Sequence, residues 1–290
     1  MILDAPGRTH DDVRAASQRF RLRAEGIGAQ ALNGDLEQRD RDEILIQFSN
    51  RSCAVLVATD VAALLAHFRP VSTLAFCNTK VRCHDLVERL RSEGTSAQAL
   101  NGDLEQRERD EILIQFANQS CAVLVATDVA ARGLDIRNLG AVINVDVTRD
   151  TEVHIHRIGR SGRGDRKGLA LSLCSAEEMH WANLIEQYQG TPLKWADAES
   201  LCSKSDRPLR APMITLNIQG GKKDKLRPGD LLGALTGDGG LAFEQVGKIH
   251  IAEFSSYVAL DRRIARQAFT RLANSNIKGR RFRMRFLEEF

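Results

Sequence analysis

Between residues 72 and 187, short apolar runs alternate with amphipathic stretches. Thr73–Cys77, Ala97–Leu100, Ala122–Ala126, Ala141–Val145 and Leu169–Cys174 are four to six residues long and predict strands. Val81–Glu93, Leu104–Ala117, Thr151–Ile158 and Ala176–Gln187 carry helical periodicity and predict helices. In Leu104–Ala117 the residues Ile112, Leu113, Ile114 and Phe116 supply a stripe for burial, while Glu105, Arg107, Glu108, Arg109 and Asp110 face outward. Alternating β and α with short apolar strands predicts an α/β fold, a parallel sheet with helices on both faces. Ligands of such sheets bind in loops beyond the strand C-terminal ends.

After Gln187 the pattern changes. Lys194–Pro212 is polar and ends with two prolines, which predicts a linker. Beyond it the order is strand Met213–Ile218, helix Pro228–Leu235, strands Val246–Ile251 and Tyr257–Leu260, helix Arg262–Ala273 and strand Arg281–Leu287. That βαββαβ order predicts a small α+β, ferredoxin-like domain. In the last strand Arg281, Arg283 and Arg285 alternate with Met284 and Phe286, the pattern of a sheet covered on one face. The expected organisation is residues 1–63 apart from the rest, 64–193 as the α/β domain, 194–212 as the linker and 213–290 as the small domain.

Residues 29–63 and 97–131 are nearly the same sequence, differing only at Asp40/Glu108, Ser49/Ala117 and Arg51/Gln119. Two copies 68 residues apart are too few and too long for a solenoid. The second copy comes after a strand, Ser72–Cys77, and continues as ARGLDIRNLGAVINVDV; the first has no comparable leading strand and breaks off at Ala63 into LLAHFRPVSTLAFC. The first copy is therefore expected to be a partial duplicate of an α/β unit. Asp11–Arg23 has helical character, and Leu22, Arg23, Glu25 and Gly26 match Leu90, Arg91, Glu93 and Gly94.

Charge adds a direction. The chain is +3 overall, but residues 204–290 hold 17 Lys/Arg against 9 Asp/Glu. A basic tail on an acidic body favours a polyanion as partner; a solvated charged surface is the plainer alternative. The six cysteines, Cys53, Cys77, Cys83, Cys121, Cys174 and Cys202, form no C-x-x-C pair and lie mostly in apolar runs, which predicts packed, reduced thiols and no metal site. No apolar run approaches the ~20 residues of a membrane span, and Met1–Gly7 does not look like a signal peptide. A cytoplasmic location is expected.

The segment His154–Gly164, HIHRIGRSGRG, spaces arginines among glycines just after a short helix. Arginine is the planar, always-charged donor suited to phosphate oxygens, and glycine lets backbone approach a ligand closely. HRIGRSGR resembles motif VI of the DEAD-box RNA helicases. ATDVAARGLD, Ala126–Asp135, looks like their motif V. FCNTK, Phe76–Lys80, is similar to motif IV, and Gln106-x-x-Arg109 after Gly102-Asp103 resembles the Q-x-x-R element. A basic solvated loop would explain the first match alone, but not four motifs in the family's order.

The resemblance implies a RecA-like helicase C-terminal domain. It implies that Arg160 and Arg163 are arginine fingers for ATP held between two RecA-like domains, and that His156 couples that site to RNA. Asp135 and Gly133 would approach ATP. Thr127, Gly102 and Arg109 would contact the RNA sugar-phosphate backbone, although a structural role for Thr127 and Gly102 stays open. IQGGKKDKLRPGDLLGALTGDGGLAFEQVGKIHI, Ile218–Ile251, is similar to the RNA-recognition domain of the DbpA family. That similarity implies an RRM-like fold and large-subunit ribosomal RNA, with ribosome assembly intermediates, as partners. An RNA-recognition fold stacks bases on sheet aromatics. Here Thr215 stands where an aromatic is usual and Ser255 replaces another, leaving Tyr257. Binding is expected to lean on Lys222, Lys223, Lys225, Lys248, Arg281 and Arg283, with a strong salt dependence.

Nowhere does the sequence contain G-x-x-x-x-G-K-[ST], the loop that cradles ATP phosphates, or a D-E-A-D tetrapeptide. Asp110-Glu111-Ile112-Leu113 is a helix segment. In the family those elements belong to a first RecA-like domain. ATP and Mg²⁺ are therefore expected only when that domain is supplied, and no hydrolysis is expected from this chain alone. Two rival readings stay open: a complete enzyme with an unrecognised phosphate loop, and an RNA-binding module whose RecA-like part is non-functional.

Overall fold

The structure, a computed structural model, describes residues 2–4, 55–134, 136, 139–161, 168–197, 201, 203, 205, 207–273 and 275–287. In chain order its elements are β1 (Ile2–Asp4), α1 (Val55–Phe68), β2 (Thr73–Phe76), α2 (Lys80–Ser92), β3 (Ala97–Leu100), α3 (Gln106–Ala117), β4 (Val123–Ala126), α4 (Asp128–Ala131), β5 (Ala141–Asn144) and α5 (Thr151–Ile158). Then come β6 (Leu169–Cys174), α6 (Met179–Gln189), β7 (Trp195–Asp197), β8 (Met213–Ile218), α7 (Pro228–Thr236), β9 (Val246–Ile251), β10 (Ser256–Asp261), α8 (Ala265–Ala273) and β11 (Met284–Phe286). They form two compact units, one from Met1–Gly94 and Val125–Leu209, the other from Thr95–Leu124 and Arg210–Phe290. Among the described residues no helix is long and apolar enough to cross a membrane.

In the first unit β2, β5, β6, β1 and β7 lie side by side and every pair is parallel. The end of β4 joins this unit, where Cys77 N donates to Ala126 O at 3.0 Å. β2 and β5 are buried along their whole length, which explains why their sequences are continuous apolar runs without alternation. Thr79 starts α2 by accepting from Arg82 N at 3.3 Å, and Cys83, Leu86, Val87 and Leu90 form the stripe it buries. Cys77, Cys83, Cys121 and Cys174 are buried; Cys53 and Cys202 lie outside the described residues.

The repeat folds differently in its two copies. Val123–Ala131, VLVATDVAA, is strand β4, a Thr127 cap and the short α4; the same nine residues at 55–63 open the single helix α1. A strand must hydrogen-bond to neighbours, whereas a helix pairs its own backbone groups. The residues on the C-terminal side also differ. The first copy runs on into Leu64 and Leu65, both buried, and the helix continues; the second runs into Gly133 at φ 77°, where it stops. So the expectation that 29–63 is an α/β unit is not met by its described end, which is helical. Residues 29–54, and the helix expected at Asp11–Arg23, lie outside the described residues. β1 and β7 were not foreseen: β1 inserts between β6 and β7, and β7 falls at the start of the stretch read as a linker.

In the second unit the strands run β11-β8-β10-β9, all antiparallel, the order expected of βαββαβ. Ile214, Leu216 and Ile218 with Val258 and Leu260 face Leu231, Leu235, Ala265, Ala268 and Leu272 of the two helices. Each fully buried leucine there contributes roughly 1.5–3 kcal/mol relative to exposure. The opposite face of β8 and β10 is buried too. Asn118 Nδ2 donates to Thr215 Oγ1 at 3.2 Å, the Ser120 and Thr215 hydroxyls share a short hydrogen bond, and Met213 N donates to Gln119 O at 3.3 Å. The segment after α3 thus occupies sheet surface that the sequence pattern left open to solvent.

Candidate functional site

The site of the first unit is built on α5. Asp150 caps it, accepting from Glu152 N at 2.9 Å and Val153 N at 3.3 Å. Helical spacing then divides the HIHRIGR residues. His154 and Arg157, three apart, turn inward and are buried; His156 and Arg160, four apart, line a cleft of about 460 Å³ whose wall the Arg157 side chain also reaches. Leu74, Phe76, Asp128, Arg132, Leu134 and Ile136 line the same cleft.

Arg157 is its anchor. Its side chain is 1% exposed, with Nε 2.7 Å from Asp128 Oδ1 and Nη2 2.6 Å from Asp128 Oδ2, a bidentate charged pair. Nη1 donates to Asp146 O at 2.9 Å and Asn144 Oδ1 at 3.3 Å, Nη2 to Asn78 Oδ1 at 3.2 Å, and the guanidinium lies 5.0 Å from the Phe76 ring centroid. Asp146 in turn accepts from Asn78 N at 2.7 Å and pairs with Arg82 at 2.9 Å. The loops after β2 and β5, and α4 after β4, are thereby tied to one guanidinium. All five of its N–H donors are used inside the protein, so Arg157 holds the site together even though it also lines the cleft. His154 sits beside it; burial, then the charge of Arg157, pushes its pKa down to about 4.

Arg160 differs. Its Nη1 donates to Leu134 O at 2.8 Å, one side-chain bond among the described residues from a group with five donors. That bond fixes the head of the side chain at the cleft wall. The lining is mixed, with Arg132, Arg160 and His156 alongside Asp128, Asp150 and Glu152.

The other expected residues are spread over both units. Gly133, between the cleft residues Arg132 and Leu134, has a left-handed φ of 77° that other residues rarely adopt. Thr127 caps α4 and accepts from Ala130 N at 3.4 Å, so a structural role is visible for it. Arg163 and Asp135 lie outside the described residues. Gly102 and Arg109 belong to the second unit: Gly102 is exposed in the turn after β3, and a Cβ there would meet nothing within 4 Å, while Arg109 lies half-buried on α3. In the same unit Lys222, Lys223 and Lys225 share one exposed turn, Lys248 is exposed on β9, and Arg281 and Arg283 are exposed ahead of β11. Tyr257 is 5% exposed; its hydroxyl donates to Glu111 Oε1 at 3.3 Å and accepts from Ser255 at 3.2 Å. Burial, offset in part by Ser255, raises its phenol above the usual value.

Sequence reasoning missed Arg157, Asn78, Asp128 and Asp146 as a group. Part of the signal was present, since the periodicity of α5 sets His154 and Arg157 apart from His156, but their partners come from three other segments.

Comparison with known proteins places the chain. A model of the helicase conserved C-terminal domain matches residues 8–64 and again 63–165, and a model of the DbpA RNA binding domain matches 215–286. The ATP-dependent RNA helicase DbpA of Escherichia coli (strain K12) is 48% identical over 225 residues, covering 78% of this chain and 49% of that protein. DbpA of Bacillus subtilis (strain 168) is 29% identical over 293 residues, covering 94% and 60%, and a rice eukaryotic initiation factor 4A-III homolog is 45% identical over 118 residues, covering 41% and 29%. The chain spans about half the length of the E. coli relative. The chain belongs to the DEAD-box RNA helicase family, as a DbpA-type C-terminal region joining a helicase conserved C-terminal domain to a DbpA RNA-binding domain.

Proposed function

We propose that this chain is the RNA-binding, ATP-coupling part of a cytoplasmic helicase that acts on 23S ribosomal RNA during large-subunit assembly, and that it does not hydrolyse ATP alone. The division of labour on α5 carries the reading. Arg157 is buried and saturated, and three positions later Arg160 is held by a bond to Leu134 O and lines the cleft. A residue that stabilises charge developing on a phosphoryl group must be preorganised and yet reachable. Arg160 meets both conditions, and His156 lines the cleft beside it. Bound ATP with Mg²⁺ would supply the phosphoryl group there, and Arg160 would neutralise it; the family resemblance adds Arg163 as a second arginine finger and Asp135 and Gly133 as nucleotide contacts. A separate first RecA-like domain contributes the phosphate cradle, a loop that this sequence lacks. The basic turn at Lys222–Lys225, with Lys248, Arg281 and Arg283, holds RNA through its phosphates.

The test is ATP turnover by the purified chain, with and without 23S ribosomal RNA and a separately expressed first RecA-like domain. No turnover is expected alone. RNA-stimulated turnover is expected on complementation, falling about 10³-fold or more in Arg160→Ala. Turnover by the chain alone that is lost in Arg160→Ala overturns the proposal. RNA binding without turnover under any complementation favours an RNA-binding module whose RecA-like part is idle.

A further inference from the structure

We propose that Phe254, with the lysines of the Lys222–Lys225 turn, forms a stacking platform for one unpaired nucleobase of the bound RNA; this rests on the RNA-binding reading above. Among the described residues of the second unit, Phe254 at 71% and Phe243 at 66% are the exposed large apolar side chains. A single exposed phenylalanine is ordinary. The frame around Phe254 is not. Its turn is closed by Ala252 N donating to Ser255 O at 2.8 Å. The lysine turn then grips it from the side: Lys222 N donates to Ala252 O at 2.9 Å and Lys223 N to Glu253 O at 3.1 Å.

Gly221 makes that grip possible. A Cβ there would stand 2.5 Å from Ala252 O and 2.6 Å from Glu253 O, so any other residue would push the two turns apart. Below them, Gly220 O accepts from the Ser256 hydroxyl at 2.6 Å, tying the lysine turn to β10. The aromatic ring and the cations thus share one backbone-bonded frame.

Charge selects the occupant. Lys222, Lys223 and Lys225 are exposed on the turn, and the nearby acids Glu253 and Asp224 are engaged by Lys223 at 3.5 Å and Arg280 at 3.9 Å. An aromatic face bordered by lysines suits a base with its flanking phosphates, the combination used for single-stranded nucleic acid. The usual platform, the sheet face, is covered: Tyr257 and Thr215 are both buried in this unit. Stacking therefore moves to the loop end of the sheet.

The test measures affinity of the whole chain for a ribosomal RNA hairpin carrying a single-stranded extension, intact or with single abasic positions along that extension. Phe254→Leu, which keeps apolar bulk without an aromatic face, should weaken binding roughly 5- to 150-fold. Phe254→Tyr should bind like the wild type. Phe243→Leu, whose neighbour is Glu244, should also leave affinity unchanged. The salt slope should stay constant in Phe254→Leu and fall by about 0.7 in Lys222→Gln. One abasic position should weaken the wild type and leave Phe254→Leu unaffected. Additive losses at every position, or wild-type affinity in Phe254→Leu, overturn the platform while leaving RNA binding intact. Failure of the wild type to bind RNA overturns the underlying reading instead. Loss of self-association in Phe254→Leu with unchanged RNA affinity assigns the ring to a protein contact and also overturns the platform.

Discussion

Arg157 and Arg160 are three positions apart, and burial gives them different work. Replacing Arg157 with Met strands Asp128 and leaves Asn78, Asn144 and the Asp146 carbonyl without their donor. Breaking a buried pair from one side costs about 3–5 kcal/mol, and the lower end is expected because the Asp128 side chain is 32% exposed. Urea denaturation should show that loss, whereas Arg160→Ala should leave the midpoint almost unmoved. His154 supplies a pH dependence at the same spot. Its folded pKa near 4 lies below the ordinary 6.5, so between those values the unfolded chain binds a proton that the folded chain refuses. Stability is full above pH 6.5 and falls as pH drops toward 4, by at most about 3 kcal/mol. His154→Leu should flatten that acid limb in denaturation measured from pH 4 to 8; an unchanged limb would assign it to other groups.

At the scale of elements, the nonapeptide VLVATDVAA is the clearest case of context overriding local sequence. In its second copy Asp128 meets Arg157, whereas in its first the same aspartate, Asp60, lies in helix α1, where burial pushes its carboxyl up to about 7. The sign is opposite to that of His154. The folded chain binds the extra proton, so stability falls as pH rises from about 4 to about 7 and stays low above. Asp60→Asn should raise the midpoint of thermal unfolding at pH 8 and leave it unchanged near pH 4. An equal effect at both pH values would assign the change to something other than the ionisation of Asp60. Elsewhere local signals sufficed: Thr79 and Asp150 start α2 and α5 where capping chemistry predicts, and β3, β6, β8 and α5 have the limits read from periodicity.

At the scale of the molecule, the second unit closes a sheet face that its sequence leaves open. Thr215 is wholly buried and hydrogen-bonded to Asn118 and Ser120, which supplies a physical reason for the missing aromatic at that position: a ring would collide with the segment after α3. Glu111 reinforces the contact, accepting from Tyr257 and from Arg285 Nη2 at 3.2 Å. Thr215→Phe should therefore destabilise the unit by about 1–3 kcal/mol, through overpacking and lost hydrogen bonds, and gain no RNA affinity. Tighter RNA binding in that variant would show that the face opens in solution.

Local sequence alone dictated the two fold classes, nearly all strand and helix positions between 73 and 287, and the arginine-glycine segment, because periodicity, capping and φ requirements act within a few residues. The resemblance of HRIGRSGR to motif VI singled out Arg160 and His156, and both line the cleft. Local sequence did not reveal that Arg157 is an internal anchor, that Tyr257 is covered, that β1 and β7 extend the first sheet, or that one nonapeptide adopts two structures. Those outcomes depend on which distant backbone groups and side chains arrive alongside, and burial is a property of that arrival. Three residues such as Ile2–Asp4 carry too little pattern to announce a strand; the open edge of β6 and the backbone of β7 make them one.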